Sequence, residues 1–113
     1  MILAAGQTNV EKLLSGDIAG KKFISISVGT SGTPEADTDV AITNPVVKAI
    51  ATVDYLDGYV QFNATLDAGD PAMQIQEIGV FNQDNVLCYR KVIPPVNKIA
   101  GTTYALSYKI KVE

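Results

Sequence analysis

The sequence has no histidine, no tryptophan and a single cysteine, Cys88, among its 113 residues. Without histidine the chain cannot build a Ser-His-Asp or Cys-His catalytic arrangement, and it lacks the commonest general base near neutral pH. Zinc sites that use histidine are excluded for the same reason. Because one cysteine cannot form an internal disulfide, apolar packing has to stabilise the fold. We expect Cys88 to be a small buried apolar side chain.

Positive charge and long apolar runs are also scarce. Nine Lys and Arg residues against twelve Asp and Glu residues give a net charge of −3, whereas surfaces that bind nucleic acid concentrate Lys and Arg. We therefore expect no nucleic-acid partner. The first residues, MILAAGQTNVEK, include neither a basic leader nor an apolar run of signal-peptide length, and no stretch approaches the ~20 apolar residues of a membrane span. We expect a soluble chain, without a membrane partner, that is made in a cytoplasm.

The composition that remains is typical of one compact domain. The chain is 47% hydrophobic and 19% charged, and a chain of this length can bury one core but not two. We predict a single domain over residues 1–113.

Near the N-terminus the pattern predicts one short amphipathic helix over about residues 8–15. Thr8 followed by Glu11 has the spacing of a capping box, apolar residues follow at helical spacing, and Gly16 ends the run. A helix of about two turns is not stable alone in water. Its apolar stripe must therefore lie on the domain's own sheet or on a neighbouring subunit.

From residue 22 the period changes to two, which is typical of strands. KFISISV predicts a half-buried strand, and residues about 29–45 predict a long loop because they are rich in Gly, Thr, Asp and Pro without periodicity. Asp57-Gly58 then predicts a type I′ turn between two pairing runs. The apolar cross-strand pairs of this hairpin are predicted to be Tyr55 with Val60, Val53 with Phe62, Ala51 with Ala64 and Ala49 with Leu66.

A second hairpin is predicted around Asp84-Asn85. Its predicted pairs are Phe81 with Cys88, Val80 with Tyr89, Gly79 with Arg90 and Glu77 with Val92. Glu77 then lies diagonally from Arg90, within reach of a long side chain. We interpret the two as a structural ion pair, since no other acid-base group is close in the pattern.

The end of the chain is predicted to hold one more strand. Pro94 and Pro95 cannot donate to a ladder and are expected to interrupt the sheet, and strict alternation follows over residues 103–112. Some six strands in antiparallel hairpins with one small helix predict a mainly β fold, an antiparallel β-sandwich with one short N-terminal helix.

Few residues are candidates for chemistry. Asp37 with Asp39, and Asp67 with Asp70, could hold a hard cation, but neither pair has calcium-loop spacing and Asp in turns usually bonds its own backbone. The five tyrosines could form a sugar-binding patch, but alternation places most of them in packing positions. We predict no catalytic residue, no metal site and no cofactor.

Several segments occur in an order that resembles a known family. These segments are NVEKLLSGD, KKFISISVGTSGTP, DTDVAITNP, GYVQFNATL, IQEIGVFNQDNVLCYRKVIPPVNK and the terminal alternating strand. Together they resemble small structural proteins of tailed bacteriophages and the N-terminal attachment domains of phage tail-fibre and tail-collar proteins. The likeness spans nearly the whole chain, although Asn85 stands where the family often has Gly.

The resemblance implies a non-enzymatic virion component of the tail, baseplate or fibre-attachment region, assembled in the host cytoplasm. Its partners would be other phage structural proteins and copies of itself, in a homo-oligomer such as a trimer or a ring. A capsid decoration or head-fibre protein is an alternative. So is a carbohydrate- or receptor-binding module that uses residues 29–45 and exposed tyrosines. An enzyme using Glu77 and Asp54 is the remotest alternative, since neither carboxylate has an activated partner in the pattern.

Overall fold

The protein folds as two packed antiparallel sheets and one helix. The computed structural model describes residues 1–112, so position 113 of the predicted domain lies outside the described residues. The sheets have the strand orders β2-β1-β5-β6 and β3-β4-β7, which confirms the predicted mainly β sandwich with seven strands rather than about six. The elements are α1 (Ala4–Ser15), β1 (Phe23–Gly29), β2 (Val46–Ala49), β3 (Thr52–Leu56), β4 (Tyr59–Leu66), β5 (Met73–Asn82), β6 (Leu87–Lys98) and β7 (Tyr104–Lys111).

The core lies between the two sheets. The four-stranded sheet contributes the fully buried Ile26 and Val80, and the three-stranded sheet contributes Leu66 and Leu106. Burying an aliphatic side chain of this size stabilises the fold by about 1.5–3 kcal/mol. Alternation along β4 and β7 therefore places their apolar residues inward, as the period of two predicts.

The first hairpin confirms part of the predicted register and corrects the rest. Tyr55 pairs with Val60 and Val53 with Phe62 as predicted. Ala49, however, belongs to β2 and pairs with Ser25 in the other sheet, so its predicted pairing with Leu66 is wrong. Ala51 lies between the strands. The apolar run from 46 to 56 is thus two strands that cross from one sheet to the other, a break that alternation alone does not reveal.

The turn of this hairpin and its outer strand also differ from the prediction. Gly58 has a φ of 76° but Asp57 does not have a positive φ, so the turn is not of type I′. All five residues of β3 are exposed. Tyr55 is 84% exposed, and Val53 is 38% exposed.

The second hairpin has the predicted pairs Val80 with Tyr89, Gly79 with Arg90 and Glu77 with Val92. Phe81 pairs with Leu87 instead of Cys88, because a bulge shifts the register by one residue. Asn85 adopts a φ of 59°, a left-handed conformation that Asn tolerates better than most residues. The side-chain oxygen of Asn82 closes the turn by accepting the N–H groups of Asp84 and Val86.

The prolines do not interrupt the sheet, which corrects another prediction. β6 continues from Leu87 to Lys98, and Pro94 and Pro95 lie where the register shifts between Val92 and Val96. They are tolerated because β6 is an edge strand and a bulge needs fewer ladder hydrogen bonds.

The helix starts earlier than predicted. It begins at Ala4, and the Thr8 hydroxyl donates to the Ala4 carbonyl instead of capping a helix start. Gly16 ends the helix, as predicted, and the structure shows it in the left-handed conformation. The helix lies against β6 through Gly6, where a Cβ would overlap the Cys88 carbonyl. Leu13 and Leu14 remain exposed, so the domain covers only part of the apolar stripe.

Strand β1 is buried on both faces rather than one. Ser25 and Ser27 are inaccessible to solvent, and Ile42 from the long loop lies over the neighbouring Gly29 and Gly79. Alternation predicted a solvated serine face because the loop that covers it has no periodicity that would show where Ile42 packs. Within residues 1–112, no helix has the length and apolar character that crossing a membrane requires.

The close approach of α1 to β6 makes Gly6 a sensitive position. We expect Gly6→Ala to lower the free energy of unfolding by roughly 1–3 kcal/mol, since the new methyl group meets rigid backbone. Gly69→Ala is the matched control, because a Cβ there meets no atom within 4 Å and the change restricts the unfolded chain. Urea unfolding of both variants measures the difference. Equal stability of the two variants would contradict this packing.

Candidate functional site

The most elaborate polar cluster surrounds Glu77 and Arg90 on the outer face of the four-stranded sheet. Glu77 is 0% and Arg90 3% exposed, and Arg90 Nε donates to Glu77 Oε1 at 2.9 Å. The predicted ion pair is therefore present and is fully buried. Gly29 and Gly79 leave space on this face, since a Cβ at Gly29 would lie 2.8 Å from Glu77 Oε2.

The pair anchors the long loop, residues 30–45, to the sheet. Glu77 Oε2 accepts the backbone N–H groups of Ser31 at 2.7 Å and Thr43 at 3.2 Å, near the two ends of the loop. Arg90 reaches its middle, where Nη1 contacts Asp39 Oδ2 at 3.1 Å and Nη2 donates to the Thr33 carbonyl at 2.9 Å. We call this set the loop anchor: Ser31, Thr33, Asp39, Thr43, Glu77 and Arg90.

The electrostatics of the loop anchor are those of a closed structural cluster. Burial acts to lower the pKa of Arg90, but the hydrogen bonds and charges of Glu77 and Asp39 outweigh it and raise that pKa. Both oxygens of Glu77 already accept hydrogen bonds. A cavity of about 230 Å³ lies against the anchor, yet the charged groups that line it are engaged with each other and with the loop.

Of the two aspartate pairs that could hold a cation, Asp67 with Asp70 is engaged in a turn and in ion pairs, and Asp39 of the other pair is engaged in the same way. Asp39 accepts the Ala36 N–H as well as Arg90. Asp70 accepts the Asp67 N–H at 2.6 Å, and both carboxylates contact Lys48 Nζ. The hydrogen bond from Lys48 lowers the pKa of Asp70. Across residues 1–112 no three His, Cys, Asp or Glu side chains come together as a metal site would require.

The remaining candidates are dispersed. Tyr89 and Tyr108 are buried, whereas Tyr55 and Tyr59 are exposed on strand positions that point to opposite faces of one hairpin. The tyrosines therefore do not share one surface. Asp54 lies in the other sheet from Glu77 and accepts a hydrogen bond from Asn63.

Cys88 is fully buried, as predicted. Its Sγ donates to the Val86 carbonyl at 3.4 Å, and burial raises the pKa of the thiol to about 11.

The outer edge of β6 is covered by groups that the sequence pattern did not identify. The Arg90 N–H donates to the Met1 carbonyl and the Leu3 N–H to the Cys88 carbonyl. The Val92 N–H donates to Glu35 Oε1, which lowers the pKa of Glu35. Two residues further along β6, Pro94 has no backbone N–H and therefore presents no donor to another chain. Covering an edge in this way prevents pairing with other chains.

The three-stranded sheet is different. Among residues 1–112, no backbone hydrogen bond joins the outer edge of β3 or of β7 to another segment.

Beside β7, an apolar groove of about 370 Å³ opens between the helix and the end of this sheet. It is lined by Ile2, Val10, Leu13, Leu14, Phe23, Val60, Phe62, Tyr89, Ile110, Lys111 and Val112. In the sequence, the signal for this groove is the apolar stripe of the helix, which needs a surface to cover it.

No family model, no curated protein and no solved structure matches this chain.

The loop anchor gives a stability prediction for Glu77→Gln. Three donors point at the carboxylate, so the amide of Gln must place its NH2 against at least one of them. We expect a loss of about 3 kcal/mol in unfolding free energy, as for other broken buried pairs, and faster hydrogen exchange of the Ser31 and Thr43 amides. Denaturant unfolding and exchange mass spectrometry measure these effects. The control is Asp67→Asn at an exposed ion pair, whose expected loss is much smaller. If Glu77→Gln unfolds at the same denaturant concentration as the wild type, the anchor is refuted.

The buried environment of Cys88 predicts that its thiol reacts slowly. At pH 8 the native protein should react with a thiol reagent far more slowly than the protein in denaturant, because a buried thiol with a pKa near 11 is protonated and inaccessible. A colorimetric thiol assay with and without denaturant tests this. Comparable rates in the two conditions would show that Cys88 is accessible.

Proposed function

We propose that this chain is a structural protein of a bacteriophage virion, in the tail, baseplate or fibre-attachment region. It binds copies of itself and other phage structural proteins, and it acts by holding neighbours in place. It assembles in the host cytoplasm and remains in the virion. A capsid decoration or head-fibre protein is the alternative within the same class.

The observation that carries the proposal is the uncovered three-stranded sheet. The other sheet closes its β6 edge with the N-terminal residues, Glu35 and proline, whereas β3 and β7 have open edges. Stable monomers usually cover or blunt such edges, because an open edge is a template for another chain. Exposed apolar side chains also accumulate at β3 and at the helix, including Tyr55 at 84% and Leu14 at 82% exposure. Such surfaces mark contacts with other proteins.

The order of motifs along the chain supports the assignment to phage particles in particular. The EIGVF segment lies in β5 and the segment through the prolines lies in β6, so the resembling segments build the β5–β6 hairpin of the four-stranded sheet. The net charge of −3 gives no support for nucleic acid as a partner.

The proposal predicts self-association and presence in particles. Native mass spectrometry of the purified chain should show a homo-oligomer, and mass spectrometry of purified virions from the phage that encodes it should detect the chain. A protein that stays monomeric at micromolar concentration and is missing from virions would contradict the proposal. Labelling of intact particles would then separate a tail location from a capsid location.

A further inference from the structure

We propose that copies of this chain join head to tail, with the outer edge of β7 in one copy pairing with the outer edge of β3 in the next. This inference deepens the proposed function, on which its biological meaning rests, by naming the surfaces that self-assembly uses. The occupant of the open β7 edge is thus a second copy of the same chain.

The relative direction of the two edges permits this arrangement. β3 and β7 both run antiparallel to the central strand β4, so they are parallel to each other within one copy. When the next copy repeats the same orientation, its β3 runs parallel to β7 and extends the sheet. Parallel pairing is slightly weaker per residue than antiparallel pairing but uses the same backbone groups.

The register of the sheet places complementary charges in one row. Asp54 pairs with Gln61, which pairs with Lys109, so this row begins with an acid at one edge and ends with a base at the other. Both charged residues are exposed. Continuing the row into the next copy brings its Asp54 beside Lys109.

The charges disfavour the two alternative edge pairings. A β3 edge pairing with another β3 would bring two Asp54 side chains close with no base on either strand. A β7 edge pairing with another β7 would bring together two strands that each carry Lys109, and β7 contains no acidic residue. Like charges across a strand pair are destabilising, so only the head-to-tail combination matches opposite charges.

The inner face of the same junction is apolar. The next row joins Tyr55, Val60 and Ile110, so continuation places Tyr55 of the next copy beside Ile110, at the groove lined by Ile110 and Val112. Tyr55 is 84% exposed in the isolated chain. Its burial, with the partly exposed Val53 two rows away on the same face, supplies an apolar contribution that the single chain lacks.

A head-to-tail contact of this kind is heterologous. It forms a closed ring if the rotation between copies closes and a filament if it does not. Either product contains the same β7–β3 junction.

Charge reversal tests the pairing. Asp54→Lys and Lys109→Asp should each weaken self-association by roughly tenfold, since each replaces an attraction with a repulsion. The double variant Asp54→Lys/Lys109→Asp should restore it to within about threefold of the wild type, because the charges are again opposite. Sedimentation equilibrium measures the association, and Asp84→Lys at the exposed second turn is the control. Two single variants that associate like the wild type would overturn the junction, as would a double variant that remains weak.

Disulfide trapping tests the same junction by distance. Within one chain the two positions are separated by two strand spacings, about 10 Å, which is beyond the ~7 Å that a disulfide spans. Asp54→Cys/Lys109→Cys should therefore cross-link only between copies and give covalent multimers under mild oxidation. Each single variant should give at most disulfide dimers. Glu11→Cys/Asp54→Cys is the control pair, and buried Cys88 contributes no background.

The results separate this inference from the proposed function. Cross-linked multimers that stop at a fixed size support the junction in a ring. Cross-linked multimers that continue to larger sizes support it in a filament. An oligomer that gives no cross-links overturns the junction but leaves self-assembly intact. A monomeric wild-type protein overturns the junction and contradicts the self-association on which the proposed function depends. Thermal melting of every variant ensures that the compared chains are folded.

Discussion

The buried ion pair between Glu77 and Arg90 is the interaction on which the long loop and the four-stranded sheet depend. Removing two charges from water is costly, and their mutual attraction offsets that cost only when further hydrogen bonds satisfy both groups. The loop supplies these bonds through the N–H groups of Ser31 and Thr43 and through Asp39. The same loop supplies Ile42, which packs with Leu3 and Leu87 over the sheet. Polar anchoring and apolar covering therefore reside in one segment, and each depends on the other.

The anchored loop also separates the roles of the two sheets. Through Glu35 it caps the Val92 N–H, next to the point where residues 1–3 pair with β6. The four-stranded sheet is thus covered on its outer face and closed along part of one edge. The three-stranded sheet receives no such cover, and its outermost strand β3 is exposed along its whole length. A domain that covers one sheet and leaves the other uncovered can offer the edges of the uncovered sheet to neighbours.

The sequence predicted what depends on local pattern and missed what depends on distant contacts. Alternation fixed the pairs of Tyr55 with Val60 and Glu77 with Val92, and hence the diagonal position of Arg90. It could not show that the chain changes sheets at Ile50–Ala51, since both strands keep the same period. The capping box at Thr8 failed because residues 1–3 already fix the chain to β6 and the helix starts at Ala4. The partners of Glu77 in the loop had no local signal, because they are backbone N–H groups.

The energetics of an edge junction favour assemblies of several copies over a simple dimer. An exposed ion pair such as Asp54 with Lys109 stabilises by about 0.2–1 kcal/mol, so charge can select the direction of pairing without supplying much affinity. In the proposed junction, backbone pairing along the five residues of β3 and the burial of Tyr55 would contribute more, yet the contact would remain small beside the ~1,600 Å² of a standard interface. Because a ring gives every copy two such contacts, closure adds affinity without any new interaction. Under the proposed head-to-tail junction, weak and directional edges would therefore hold neighbouring copies through several small contacts rather than through one large interface.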